Sequence, residues 1–175
     1  MKKIFIMLTL YAALVSCKKE NCFQPKETVL SLGVYQSEYP INPVPTTSGY
    51  WASIMVFYMT AQGGDVVLNE LPIEFSTLVS TPVVVEAVLN MHRVNIATSV
   101  DPNGLAIFTD MHLNMKKGDT VWVKLGGSLY EPGATYPQGT ILKTKIVTSG
   151  INATDIYHRP ISVIGKVESE APVRL

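Results

Sequence analysis

The chain has 175 residues, with 14 basic and 14 acidic side chains and no net charge at neutral pH. That balance leaves no electrostatic footprint for nucleic acid, and the length suits one domain able to bury its own core. Cys17 and Cys22 are the only cysteines, so no disulfide framework is expected to carry the fold.

The N-terminus is the most specific stretch. Lys2 and Lys3 precede an apolar run from Ile4 to Val15, broken by Thr9. A run of about twelve residues cannot cross a hydrocarbon core of about 30 Å as a helix, so it reads as an export signal. Leu14-Val15-Ser16-Cys17 resembles the lipobox of bacterial lipoproteins, with a leucine, a small residue and an obligatory cysteine in order. The resemblance implies that residues 1–16 are removed as a signal peptide. It also implies that the Cys17 thiol takes a diacylglycerol and that the new terminus is acylated, with palmitate for example. Two or three acyl chains, at about 0.8 kcal/mol per buried CH₂, hold firmly where one does not.

Ser16-Cys17-Lys18-Lys19-Glu20 is similar to the start of Bacteroidetes lipoproteins that reach the cell surface. The residue after Cys17 is not the aspartate that goes with inner-membrane retention. The expected location is the cell envelope, lipid-anchored at the outer membrane or cell surface. Residues 17–27 are polar and read as a tether. Cys22 lies within it and reads as a free thiol, with an intermolecular disulfide or a second acylation as alternatives.

Beyond the tether the pattern is strand and turn. Leu30, Leu32 and Val34 alternate with Ser31 and Gly33, which predicts a strand over 28–36. Pro40, Pro43 and Pro45 forbid a helix or central strand over 37–49. Tyr50 to Thr60 is apolar on both faces. Trp51, Met55, Phe57 and Met59 fall on one side, and Ile54, Val56 and Tyr58 on the other. Such a strand should be central and covered, or lie near an interface. Gly63-Gly64 marks a turn, and two strands are expected over 65–70 and 71–75, with Pro72 at a bend or edge.

Strands are predicted over 83–89 and 93–100, with a short helix within 79–91 as the alternative for the first. Asp101-Pro102-Asn103-Gly104 is the strongest turn, since Pro fits its second position and Gly the left-handed position that follows. Its hairpin partner is expected over 105–113. Thr120 to Leu125 alternates cleanly, with Val121, Val123 and Leu125 facing one way and Thr120, Trp122 and Lys124 the other. Gly126-Gly127 is read as the start of a long loop to Gly139. Strands follow over 141–148, 152–157 and 161–167, the first with Lys143 and Lys145 on its wet face. Residues 169–175 read as a polar tail that frays.

The pattern predicts an all-β chain: one antiparallel β-sandwich over 28–168, with about 8–10 strands. The runs Asn103–Phe108, Leu113-Asn114-Met115 and Lys117–Leu125 resemble immunoglobulin-like modules of bacterial surface proteins. Leu113 through Val123 is also similar to the late-strand motif of C1q-like jelly rolls. Both resemblances imply a sandwich, and neither supplies catalytic residues.

The chemistry search returns little. His92, His112 and His158 lack metal-ligand spacing, and the carboxylates are scattered. Asp101-Pro102-Asn103-Gly104 lacks the further acidic ligands of a calcium loop. Gly-x-Ser-x-Gly is absent. No catalytic residue, metal or cofactor is therefore expected. The candidate ligand contacts are aromatic: Tyr39 and Trp51 beside the proline loop, and Tyr130 and Tyr136 within 126–139. The expected partners are the membrane, through the lipid, and a protein or a glycan. The expected role is a non-enzymatic lipoprotein of adhesion, assembly or envelope structure, with glycan binding through the loop tyrosines as the alternative.

Overall fold

The computed structural model describes residues 26–35, 44–45, 51–77, 84–92, 94–129 and 140–174. In chain order the strands are β1 Val29–Val34, β2 Val44–Pro45, β3 Trp51–Gln62, β4 Val66–Ser76, β5 Val84–Met91, β6 Val94–Ser99, β7 Leu105–Phe108, β8 Leu113–Met115, β9 Thr120–Leu129, β10 Ile141–Ile146, β11 Asn152–Asp155, β12 Ser162–Ile164 and β13 Glu168–Arg174. One sheet runs β12-β1-β3-β9-β5-β6, and the other β11-β4-β10-β13-β2, with β7 and β8 also on β4. Pairing is antiparallel except for β12 on β1 and β2 on β13. The fold is an all-β sandwich. Among the described residues no helix is long and apolar enough to cross a membrane.

One apolar core lies between the sheets. Phe57 and Leu125 enter it from the first sheet, and Leu68, Ile73 and Phe108 from the second, all with no exposed surface. Alternation produces this directly. Val123 and Leu125 are buried while Trp122 and Lys124 are exposed, as the period of two requires.

Strand β4 is the axis of the second sheet. On one side β8 covers its first half and β7 its second. On the other side β11 and β10 do the same. The two strands expected over 65–75 are thus one, and it is central. Pro72 is tolerated because an extended residue points its N–H and C=O to the same side. The Pro72 carbonyl accepts from Val147 N at 3.0 Å. The missing donor therefore faces the gap between β10 and β11, where a 3₁₀ turn at Thr148–Gly150 replaces the ladder.

Other expectations are corrected in the same physical terms. The partner of the 101–104 turn joins the opposite sheet. Val100 and Ala106 form one bridge, after which β7 pairs with β4 rather than β6. Asp110 and His112 then take left-handed backbone, φ 52° and 43°, and between them Met111 turns inward. The segment expected as one strand to Leu113 is thereby cut into β7 and β8. Gly126 and Gly127 do not open a loop, since β9 continues through them to Leu129. A Cβ on Gly127 would sit 2.8 Å from Ile54 Cδ1 and 2.9 Å from Val84 Cγ1, so a side chain there would have to displace both. A bulge between Ser53 and Met55 breaks parity in β3 and buries both Ile54 and Met55. Residues 84–91 are strand, so the helical alternative fails there. Glu168–Arg174 does not fray; it forms β13 and pairs with β10.

The 101–104 turn stands as expected. Gly104 has φ 85° and its N–H donates to Asp101 O at 2.9 Å. Asp101 Oδ1 accepts from Asn103 N and Leu105 N, each at 2.8 Å, and these bonds, Leu105's first, hold its carboxyl below the usual aspartate range.

Candidate functional site

Four of the five residues singled out by sequence, Cys17, Tyr39, Tyr130 and Tyr136, lie outside the described residues. Trp51 begins β3, where its backbone pairs with Ser128 of β9. The structure instead brings together a different aromatic set, on the outer face of the first sheet.

The set is built from register. Gly33, Tyr58 and Trp122 share one row across β1, β3 and β9. All three positions point away from the core, because Leu32, Phe57 and Val123 beside them point into it. The Tyr58 ring lies across Gly33. A Cβ there would meet Tyr58 Cζ and Oη at 2.3 Å, so the glycine creates the seat for the ring. Trp122 packs on Tyr58 with ring centroids 5.3 Å apart and planes at 56°. Tyr35, just past β1, meets Trp122 edge to face at 5.0 Å and 86°. Its N–H donates to Val56 O at 3.0 Å, which ties it to the sheet.

Such pairs contribute about 0.5–1.5 kcal/mol each beyond burial. They fix the indole without covering it: Trp122 is 50% exposed and Tyr35 49%. Polar side chains surround this apolar centre. Thr60 and Thr120 share a hydroxyl hydrogen bond at 2.9 Å on one flank. Lys124 follows Trp122 on the same face, and Asn90 pairs opposite Lys124 on β5. The arrangement suits contact with a ring or a flat apolar surface that carries hydroxyls or amides at its edge.

The outer face of the second sheet differs. Lys143 pairs with Glu170 at 2.9 Å and Lys145 with Glu74 at 3.2 Å. The hydrogen bond that Lys143 donates to Glu170 raises the Lys143 pKa. These exposed pairs satisfy one another and, in high dielectric, add little to stability. Among the described residues no three His, Cys, Asp or Glu side chains converge on a metal site. His92, His112 and His158 are each exposed.

In sequence Trp122 falls on the face of its strand opposite Val121, Val123 and Leu125, with nothing to join it to Tyr58 or Tyr35. The parity of Tyr58 and Trp122 was readable. The cross-strand register that makes them neighbours was not.

No protein-family profile matches the chain, and no curated protein matches it. Six solved chains match by structure. One is AvmM, described as catalysing macrocyclization in alchivemycin A biosynthesis. It is 10% identical, the match covers 84% of this chain and 88% of that one, and the TM-score is 0.35. That likeness bears on neither activity nor substrate.

Proposed function

We propose that this protein is a lipid-anchored, non-catalytic lipoprotein of the cell envelope, whose β-sandwich holds a partner in adhesion or assembly. Cys17 carries the anchor, and the outer face around Trp122 makes the contact. One observation carries the contact: an indole half open to solvent, set by Tyr58 on the adjoining strand and by Tyr35 just past β1. A large aromatic ring held on a central strand loses little conformational freedom on binding, which is why such residues dominate contact surfaces.

A glycan is the second reading. It is favoured by the hydroxyl, amide and ammonium groups of Thr60, Thr120, Asn90 and Lys124 around the indole. Sugar rings stack an apolar face on aromatics while their hydroxyls need such partners. The test is attachment of cells displaying wild type or Trp122→Ala to immobilised polysaccharides and to immobilised envelope protein. Loss on polysaccharide alone selects the glycan. Loss on protein alone selects adhesion or assembly. Equal attachment by both variants on every surface would remove the Trp122 face from the account.

A further inference from the structure

Three turns gather at one end of the sandwich: 63–65 between β3 and β4, 116–119 between β8 and β9, and 155–159 after β11. Contacts hold them together. Lys117 N donates to Asp65 Oδ1 at 2.8 Å, and Gly118 N donates to Ala61 O at 2.8 Å. Val66 pairs with Met115 on one side and Asp155 on the other. The described chain begins at the same end. Ser162 Oγ donates to Glu27 Oε1 at 2.8 Å, and a Cβ on Gly63 would lie 2.1 Å from Glu27 O.

This end exposes a second set of apolar, aromatic and charged side chains. Ile156 and Tyr157 are 55% and 70% exposed. Lys116, Lys117 and Arg159 are exposed at the same end. The carboxylates there are occupied by the protein. Asp65 accepts from Lys117 N, Asp119 Oδ2 from Lys116 N at 2.9 Å, and Glu27 from Ser162. Asp155 is buried and accepts from Tyr157 N, Arg159 N and the Arg159 guanidinium. Arg159 in turn stacks over the Tyr157 ring at 5.2 Å. What faces outward is an isoleucine, a phenol and charges of both signs, with Lys116, Lys117 and Arg159 beside exposed Glu27 and Asp119.

The length of chain before this end says what covers it. From Lys26 back to Cys17 is about nine residues, which extend to roughly 30 Å at most. With Cys17 acylated, this end cannot stand farther than that from the lipid. Lys18 and Lys19 bring positive charge along the same segment, and Glu20 offsets one of them.

We infer that this end docks on the lipid surface that holds Cys17, with Ile156 and Tyr157 at headgroup level and Lys116 and Lys117 against anionic headgroups. The inference rests on the lipid anchor proposed above. Tyrosine favours that interface because one end of the ring is apolar and the other wet. Each lysine near an anionic surface is worth on the order of five-fold in affinity. Docked this way, the strands stand on the membrane. At about 3.3 Å per residue, β1 lifts Tyr35 roughly 20 Å above the surface, and the Trp122 face opens sideways to neighbouring molecules.

The test uses full-length lipidated protein in vesicles of phosphatidylethanolamine and phosphatidylglycerol, in a Cys22→Ser background. An environment-sensitive fluorophore is placed at Ile156→Cys or, at the opposite end, at Asn103→Cys. The 156 probe should brighten and shift to the blue while the 103 probe does not change. Lys116→Glu with Lys117→Glu should cut the docked fraction by on the order of ten-fold or more, while the protein still floats with the vesicles. Identical spectra from the two probes on floating protein would overturn docking and leave the anchor standing. Protein that fails to float would overturn both. An equal shift on phosphatidylcholine alone would overturn the assignment to headgroup charge.

Discussion

Gly104 and Gly118 allow a conformational cost to be separated from a steric one. Both have left-handed backbone, φ 85° and 89°. An alanine at either position carries the left-handed penalty of about 1–2 kcal/mol. Only at Gly104 does the added Cβ collide, at 2.0 Å from Phe75 O, whereas at Gly118 nothing lies within 4 Å. The carbonyl that must move belongs to the last turn of the β4 ladder. Phe75 N also donates to Gly104 O at 2.7 Å, so relief of the clash sacrifices that bond. A lost hydrogen bond of about 1 kcal/mol and local strain of about 1–2 kcal/mol bring Gly104→Ala to roughly 3–5 kcal/mol. Gly118→Ala should cost about 1–2 kcal/mol. Urea unfolding followed by tryptophan fluorescence measures both, with midpoints compared at unchanged slope. Equal losses for the two variants would refute the claim that the Gly104 turn is pressed against β4.

Gly33→Val should displace the Tyr58 ring, and a crystal structure or ring NMR shifts would show Trp122 freed from it; unchanged shifts would mean that the glycine is no seat. Thr144→Val should raise stability by about 1 kcal/mol, because the Thr144 hydroxyl is buried without a protein partner and the methyl that replaces it needs none; a loss in calorimetry would contradict this. Asp101 and Asp155 should both remain ionised below the ordinary aspartate value of 3.8. At Asp155 burial pushes the carboxyl up, and the Arg159 side-chain and backbone bonds, with that of Tyr157, outweigh it. Since both folded values are depressed, their stabilisation is present above the unfolded value and is lost as pH falls through the folded one. Carboxyl NMR titration checks the order, and a midpoint at or above the free value for either residue would refute it.

Much of the sandwich was legible, for identifiable reasons. Val121, Val123 and Leu125 show their burial through a period of two, and Asp101-Pro102-Asn103-Gly104 declares its turn through residue chemistry. What escaped depends on distant partners. Ser169 and Glu170 look like a polar tail until Lys143 lies opposite Glu170 and the segment becomes the β13 rung of a charge ladder. Gly126-Gly127 reads as a turn because glycine usually punctuates, yet Gly127 is a strand residue under Ile54 and Val84. Pro72 reads as an edge because the turn that absorbs its missing donor is about 75 residues away in sequence. The site followed the same rule. Alternation sorts Tyr58 and Trp122 onto one face of their own strands, but Tyr35, Tyr58 and Trp122 become one surface only through the β1-β3-β9 register.

Attachment of the domain to the envelope through Cys17 is tested most directly by metabolic labelling with an alkyne fatty acid. Wild type and Cys22→Ser should take the label and partition with membranes, while Cys17→Ser should take none and lose the membrane. Equal labelling of wild type and Cys17→Ser, or label that vanishes with Cys22→Ser instead, would contradict it.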